Sequence, residues 1–468
     1  MMRLEKQIMS SQTADVVICG AGIAGISTAY HLSVHTGTSK VLLVDERPPL
    51  SLTSDKSTEC YRNWWPGPGP AMVQMMNRSI DILEDLAEES GNRFNLNRRG
   101  YLFATADPAR IEEFKTHARE AESLGAGALR IHDGQTAGPA YQAHQMEGYR
   151  DQPDGADLIT DQALIRENFP YLSEDTVAVI HPRRAGWFSA QQLGMYMFEQ
   201  ARQNGVQLIE GHIDRVEQRG GRVQAVQART KQGVIRIDTP HFVNAAGPFI
   251  KPVGVLLNEH LPVFSELHIK VSINDRLGVF PRNAPLLIWS DELQLPWREE
   301  ERAILVENDE TRYLLGTFPE GVHARPEGPQ DSPIVLILWT YDIDPVQPTF
   351  PITYDSNYPE IALRGLARML PALEPYFDRP PKPWLDGGYY TKTEENRPLV
   401  GPLSLDGAWI IGALSGFGLM ASPACGELLS KHITGSDLPK YAPWFQLSRY
   451  EDPEYKDLLK SWEQTGQL

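Results

Sequence analysis

The hexapeptide Gly20-Ala21-Gly22-Ile23-Ala24-Gly25 constrains this chain more than any other feature because of what flanks it. Ahead of it runs the short apolar segment 14–19, and behind it Ile26, Ala29, Tyr30 and Leu32 recur at helical spacing. Strand, tight turn and helix are predicted in that order. Gly20 would make the turn, Gly22 would admit a pyrophosphate to the backbone, and Gly25 would let the helix lie close on the strand. The N–H groups at the helix start, those of Ile23 and Ala24, would face the phosphates. Three spaced glycines alone are common. Here a second apolar run, 41–44, follows at the distance a βαβ unit requires and ends in Asp45-Glu46. Either acid would bond the ribose hydroxyls of a dinucleotide and disfavour a 2′-phosphate, unless it is a solvated loop carboxylate.

Composition narrows the class. A chain of 468 residues with 41% hydrophobic content is long enough for two or three domains with packed cores. No apolar run reaches membrane-spanning length, and residues 1–13 mix Arg3, Glu5 and Lys6 with polar residues, so a soluble, cytoplasmic protein is expected. Cys19, Cys60 and Cys425 are too few and too scattered for a disulfide framework or a zinc site, and no metal is expected. The net charge of −17 repels polyanions and argues against a nucleic-acid partner.

No repeat or low-complexity tract interrupts the chain. Val73, Met76, Ile80, Leu83 and Ala87 mark one face of an amphipathic helix. Residues 206–209, Val216 and 223–226, the last after a Gly220-Gly221 turn, read as a β-meander that returns through HFVNAAG at 241–247 to the first sheet. Strands are predicted at 267–273, 303–306 and 334–339, forming a separate antiparallel sheet, and strand, glycine turn and helix recur over 409–433. The expected architecture is α/β, with a dinucleotide-binding domain assembled from 14–70, 155–250 and 385–437. A substrate or cap domain of α+β type, with a mainly antiparallel sheet, would comprise 71–154 and 251–384, and 438–468 would form a tail.

Two further segments carry chemistry. Gly412, Gly416 and Gly418 predict a flexible turn into a helix, whose first donors, on Gly418, Leu419 and Met420, would face an anion. Residues 51–65, SLTSDKSTECYRNWW, set several hydroxyls beside one arginine. With these residues in view the sequence resembles the FAD-dependent D-amino-acid oxidase superfamily. The fingerprint, NAAGP at 244–248 and GALSGFGLMASPACGELL at 412–429 carry the likeness, and GYYTKT at 388–393 points to its sarcosine/glycine oxidase-like branch. The resemblance implies an FAD-binding Rossmann-type domain, glutathione-reductase-like, with a buried flavin touched by both ends of the chain. It also implies oxidation of a C–N bond by hydride transfer to flavin N5, giving an imine that water hydrolyses. The donors of Gly418, Leu419 and Met420 would then stabilise the reduced ring at N1–C2=O2. Ser54, Ser57, Thr58, Val216 and Gly247 would complete the cofactor contacts. Arg62 would face the flavin or a substrate anion, or be a surface cation.

Three departures from the family pattern bear on chemistry. Gly388 stands where sarcosine oxidases attach the flavin through cysteine, so non-covalent FAD is expected there. Tyr390 stands where amino-acid oxidases carry an arginine that clamps the substrate carboxylate, and Met420 where sarcosine oxidases carry a carboxylate-binding lysine. Without those cations a small amino acid is less favoured than a larger or less acidic amine. Along residues 266–272, strand alternation puts Glu266, His268, Lys270 and Ser272 on one face. Turned toward the flavin, Lys270 would polarise oxygen or bind a substrate anion, and His268 would keep an amine neutral; turned to water, the face would be inert. The expected function is therefore that of an FAD-dependent amine or N-alkyl amino-acid oxidoreductase, with a small-molecule amine or amino-acid-like substrate and oxygen or another acceptor. The alternatives are a hydroxy-acid or ring-forming flavin oxidase, and an FAD-bound assembly factor without turnover.

Overall fold

In a computed structural model, which describes residues 8–135, 138–329, 331–460 and 462, two nine-stranded sheets share the walls of one cavity. In chain order the elements are β1 (Ile8–Thr13), β2 (Val16–Cys19), α1 (Ile23–Tyr30), β3 (Val41–Asp45), β4 (Cys60–Arg62), α2 (Ala71–Ser90), β5 (Tyr101–Thr105), α3 (Arg110–Ala121), β6 (Leu129–His132), β7 (Ala156–Ile159), α4 (Gln162–Asn168), β8 (Ala178–Pro182), β9 (Ala185–Trp187) and α5 (Ala190–Gln203). There follow β10 (Gln207–Arg219), β11 (Arg222–Thr230), β12 (Gly233–Asp238), β13 (His241–Asn244), α6 (Ile250–Val255), β14 (Phe264–Asn274), β15 (Leu286–Trp289), β16 (Leu293–Gln294), α7 (Glu299–Glu307), β17 (Thr317–Phe318), β18 (His323–Pro326) and β19 (Ile334–Leu338). The chain ends with α8 (Tyr358–Met369), β20 (Trp384–Lys392), β21 (Leu399–Pro402), β22 (Ala408–Gly412), α9 (Gly418–Thr434) and α10 (Pro453–Leu459). Among the described residues no helix is long and apolar enough to cross a membrane.

The first sheet has the order β1-β12-β11-β10-β3-β2-β13-β22-β21, and β10, β3, β2, β13 and β22 run parallel at its centre. At its centre β2 and residues 41–44 of β3 are apolar at every position because both faces are covered. Val16, Ile18, Val41 and Leu43 enter a core with α1, α2, α5 and α9, while Val17, Leu42 and Val44 enter another with Phe242 and Ile410. Each such side chain contributes about 1.5–3 kcal/mol on burial, so the turns at the strands' carboxyl ends have a fixed base. α9 reaches the fingerprint helix because Gly426 has no side chain: a Cβ there would lie 2.3 Å from Ser27 Oγ, which instead donates to the Ser422 carbonyl at 2.7 Å. The turn at Gly220 and Gly221, with φ of 62° and 77°, gives the tight β10–β11 hairpin read from sequence.

The second sheet has the order β20-β14-β19-β18-β15-β5-β8-β7-β6 and is mostly antiparallel, with β15–β5 and β6–β7 parallel. One face, carrying Val271, Ile273, Val335, Ile337 and Trp289, packs on α8. Across the other face Lys270 stands opposite Asp386 and Leu338, Leu338 opposite His323, and His323 opposite Ile288. Residues in register share a face, so Tyr390, Glu266, His268, Lys270, His323 and Arg325 all project from that side. The polar side of β14 is not in water: Glu266 is 3% and His268 1% exposed.

Two expectations need correction. Residues 303–306 are helical, inside α7, where Glu299–Glu301 supply an acidic first turn and Glu301 accepts the backbone N–H of Arg298 at 2.7 Å; a four-residue apolar run does not distinguish strand from helix. β7, β8 and β20 hydrogen-bond into the second sheet, although they fall within 155–250 and 385–437, the ranges expected to bind the dinucleotide. The chain crosses between the sheets more often than its composition signals.

Candidate functional site

A cavity of about 480 Å³ opens at the carboxyl ends of the central parallel strands. Its wall takes in Gly20, Gly22, Ile23, Ala24, Asp45, Glu46, Ser54, Ser57, Gly247, Tyr390, Gly412, Gly416, Gly418 and Leu419. The fingerprint glycines divide their work by geometry. Gly20 has φ 114°, and a Cβ on it would stand 2.4 Å from the Ala245 carbonyl oxygen. A Cβ on Gly25, which lies off the wall, would stand 2.0 Å from the Gly20 carbonyl oxygen, so only glycine lets α1 sit on the turn. Gly22 faces the cavity, its nearest obstacle the Ser54 Oγ at 3.3 Å. Ser54 Oγ accepts the Ile23 N–H at 3.0 Å, which ties the hydroxyl-rich loop to the start of α1.

Asp45 and Glu46 are separated in space. Asp45 accepts the N–H of Ala21 at 2.7 Å and of Arg47 at 2.9 Å, and burial pushes its carboxyl up in spite of these bonds. Glu46 lies 3.3 Å from His212 Nδ1 at the far rim. Val216 is off the wall, packed in the core beside Ile237; residues 211–214, His212 and Ile213 among them, line the cavity instead. Cys19 also reaches the wall, and burial pushes its thiol up to about 12, so it stays protonated.

The C-terminal turn is fixed rather than flexible. Its left-handed residues are Ala413 and Ser415, each at φ 50°, and not the glycines. Non-glycine residues in that region cost on the order of 1 kcal/mol each and need holding. Ser415 is held by its N–H to the Thr391 carbonyl at 3.0 Å and by its Oγ to Asn396 Oδ1 at 3.1 Å. Gly412 and Gly418 serve packing, since a Cβ on them would press on Ile250 at 3.0 Å and Leu414 at 3.1 Å. Gly418 and Leu419 start α9 on the wall, whereas Met420 is buried in the core behind it. Two helix N-termini, those of α1 and α9, thus open on one cavity and make two places that favour negative charge.

The second sheet closes the cavity with Tyr389, Tyr390 and Thr391. The His268 ring stacks on Tyr390, with centroids 3.9 Å apart and planes at 21°. Its Nε2 is 3.1 Å from Glu266 Oε2 and its Nδ1 2.8 Å from Thr340 Oγ1, so both ring nitrogens are occupied. Lys392 Nζ is 3.1 Å from Glu266 Oε1. Burial holds His268 below its ordinary value against the pull of Glu266; burial raises Glu266, but His268 and Lys392 outweigh it and bring the carboxyl down. The pair is therefore carboxylate and neutral imidazole.

Lys270 points at the loop that bears Ser54 and Ser57. Its Nζ donates to the carbonyls of Asp55 at 2.7 Å and Ser57 at 3.1 Å, and burial lowers its pKa. Arg325 completes the brace, donating to the Thr58 carbonyl at 2.6 Å and to Glu59 at 3.2 Å, so Thr58 is engaged through its backbone and lies off the wall. Arg62 is no surface cation: it is 3% exposed, donates to the Trp64 carbonyl at 3.1 Å, and lies 4.6 Å from the Trp65 ring and 5.5 Å from Tyr101. A residue that sequence reading missed joins it. His323 is 3% exposed and its Nδ1 is bonded to the Gly321 carbonyl at 2.8 Å. Burial, with the charge of Arg62 behind it, outweighs the bond to Gly321 and pulls His323 down to about 4. No local pattern in the sequence marks it; strand register alone brings it to this face.

A Cβ on Gly388 would meet Lys56 Cβ at 3.0 Å and Thr53 Cα at 3.3 Å, which leaves little room for a larger side chain. The wall suits an elongated dinucleotide: an open glycine at one helix start, a second helix start beyond it, and hydroxyls and an acid between.

Comparison with known proteins agrees with this geometry. The sequence matches the FAD dependent oxidoreductase family, DAO, over residues 15–432. It is 25% identical over 292 residues to the mitochondrial dimethylglycine dehydrogenase of Homo sapiens, an alignment covering 60% of this chain and 30% of that protein. The chain thus spans about 30% of the length of the curated relatives it matches. Its fold is similar to that of L-proline dehydrogenase from P. horikoshii, with TM-score 0.70, 19% identity and coverage of 94% of this chain and 98% of that one. It is also similar to glycine oxidase from Geobacillus kaustophilus, with TM-score 0.69, 16% identity and coverage of 94% and 99%. The cavity between the two helix starts and the match over nearly the whole chain lead to one assignment: the chain belongs to the DAO family of FAD-dependent oxidoreductases.

Proposed function

We propose that this chain oxidises the C–N bond of an amine or N-alkyl amino acid. The observation that carries the reading is the pairing of a cavity whose wall suits a dinucleotide with a buried polar face, bearing the neutral imidazoles of His268 and His323, on the sheet that closes it. The similarity to dimethylglycine dehydrogenase and glycine oxidase supports the same chemistry. Gly22, Ile23 and Ala24 would hold the pyrophosphate, Asp45 the ribose, and Gly418 with Leu419 the polar edge of the ring. When bound, FAD supplies a two-electron acceptor for a hydride leaving the carbon next to nitrogen; the product imine takes up water and releases a carbonyl compound and an amine. Gly388 supports non-covalent attachment, since a longer side chain there meets Lys56.

The chain's own residues prepare the substrate. An amine gives up hydride only as the free base, and His323, neutral at physiological pH with Nδ1 committed to a carbonyl, presents Nε2 as a hydrogen-bond acceptor that would orient the N–H of an amine already in that form; so weak a base does not itself take the proton. His268 is tied on both nitrogens and acts by fixing Tyr390, which lines the cavity. Arg62, framed by Trp65 and Tyr101, supplies positive charge for a substrate carboxylate in place of the anchors absent at Tyr390 and Met420. Lys270 serves the cofactor loop rather than oxygen.

The test is anaerobic mixing of the purified yellow protein with amines, N-methyl amino acids and hydroxy acids, followed by admission of air. Bleaching near 450 nm by an amine, with release of ammonia or alkylamine, is expected, and acid precipitation should leave the flavin in the supernatant. Bleaching by hydroxy acids alone, or by nothing in the panel, would overturn the reading.

A further inference from the structure

The C-terminal segment reaches the cofactor turn through one buried carboxylate. Glu395, between β20 and β21, receives four bonds on Oε1: from Arg449 Nε at 3.1 Å and Nη2 at 2.7 Å, and from the hydroxyls of Tyr450 and Tyr455 at 2.8 Å each. Arg449 also donates to the carbonyls of Pro398 at 2.6 Å and Arg397 at 3.1 Å. Both partners are dry, Glu395 3% and Arg449 4% exposed. A buried ion pair of this kind is weak evidence for stability, since desolvation offsets much of the attraction, but it fixes geometry strictly. What it fixes is loop 393–398. The next residue, Asn396, is left-handed at φ 56°, bonds its N–H to the Thr393 carbonyl at 3.1 Å, and accepts Ser415 Oγ at 3.1 Å. Ser415 is itself left-handed, lines the cavity and stands three residues before α9 begins.

We propose that residues 441–459 are a positioning device for the cofactor. Arg449, Tyr450 and Tyr455 hold Glu395, Glu395 sets Asn396, and Asn396 keeps Ser415 in the conformation that aims the first N–H groups of α9 into the cavity. No residue of the segment lines the cavity; its polar link to the wall is this chain of bonds. The device depends on the cofactor, not on which substrate is oxidised.

The experiment uses the full-length protein, stripped of FAD and titrated back, with flavin fluorescence giving the dissociation constant and melting of the apoprotein recorded in parallel. Tyr455→Phe removes one donor from Glu395, and Asn396→Gly removes the acceptor of Ser415 while tolerating the left-handed backbone. Each should raise the FAD dissociation constant by about three- to tenfold, the range one net hydrogen bond commands. Because the two lie on one path, the double variant should be no weaker than Asn396→Gly alone. Unchanged FAD affinity, multiplicative effects in the double variant, or an apoprotein melting loss that accounts for the whole change would each overturn the proposal. Should Asn396→Gly not fold, Ser415→Ala removes the same bond from the other side, and alanine already holds that conformation at Ala413.

Discussion

An imidazole whose Nδ1 is committed to a carbonyl has one nitrogen left to offer, and burial decides in what state it is offered. His323 meets both conditions, and its pKa falls from 6.5 to about 4. His31, buried just past the end of α1, falls to about 3. For both, the unfolded chain binds a proton over a pH range in which the folded chain does not. Their stabilisation is complete above about pH 6.5, is lost as pH falls, and for His323 stops falling below about pH 4. At roughly 1.4 kcal/mol per pH unit, His323 alone accounts for on the order of 3 kcal/mol. Urea unfolding at pH 7.5 and pH 4.5 should show this loss, and His323→Gln, which cannot titrate, should reduce the difference by about that amount; an unchanged difference would mean that His323 is charged in the folded state. Gly20, Gly22 and Gly25 were legible because their constraint is local, a turn within six residues. His323 was not, because its place follows from register across β14, β19 and β18, and the run 321–326 has neither period nor motif.

At the scale of elements, alternation along β14 announced two unlike faces but could not say what each would meet. The partner of its polar face is loop 53–59, about 200 residues earlier in the chain. Lys270 ends on two backbone carbonyls of that loop, at 2.7 and 3.1 Å, and charge-assisted bonds of this kind contribute about 1.5–3 kcal/mol each. Since Ser54 and Ser57 stand on the cavity wall, loosening the loop should weaken FAD binding before it alters chemistry. Lys270→Met should raise the FAD dissociation constant by about tenfold or more, while the reduced flavin of the fully loaded variant reoxidises at close to the parental rate. Slow reoxidation with unaltered FAD affinity would instead return the lysine to oxygen. α7 shows the opposite limit of pattern reading: Ile304 is 70% exposed and Val306 49%, so the apolar run at 303–306 marks no core-facing strand, and the acidic run Glu299–Glu301, suited to a helix's first turn, was the better signal.

At the scale of the molecule, the cofactor cavity lies where the two sheets are joined, and the joints are polar. Lys270 and Arg325 reach from the second sheet to loop 53–59, Lys56 of that loop pairs with Asp386 of β20 at 3.1 Å, and Thr53 donates to the Tyr389 carbonyl at 3.2 Å. The FAD-binding character was legible from both ends of the chain because a strand, a glycine turn and a helix start recur there. The interleaving of the sheets was not, because short apolar strands such as β7 and β8 carry no mark of the sheet they will join. A seam of this construction couples the cofactor to the contact between sheets. FAD at about a thousand times its dissociation constant would add about 4 kcal/mol to stability by mass action alone. Removing it should lower the melting temperature, and hydrogen exchange should localise the loss to loop 53–59 and turn 413–418, which face the cavity, while β2, β3 and β14 keep their protection. Equal loss of protection throughout both sheets would mean that FAD stabilises the fold globally and that the seam has no independent mobility.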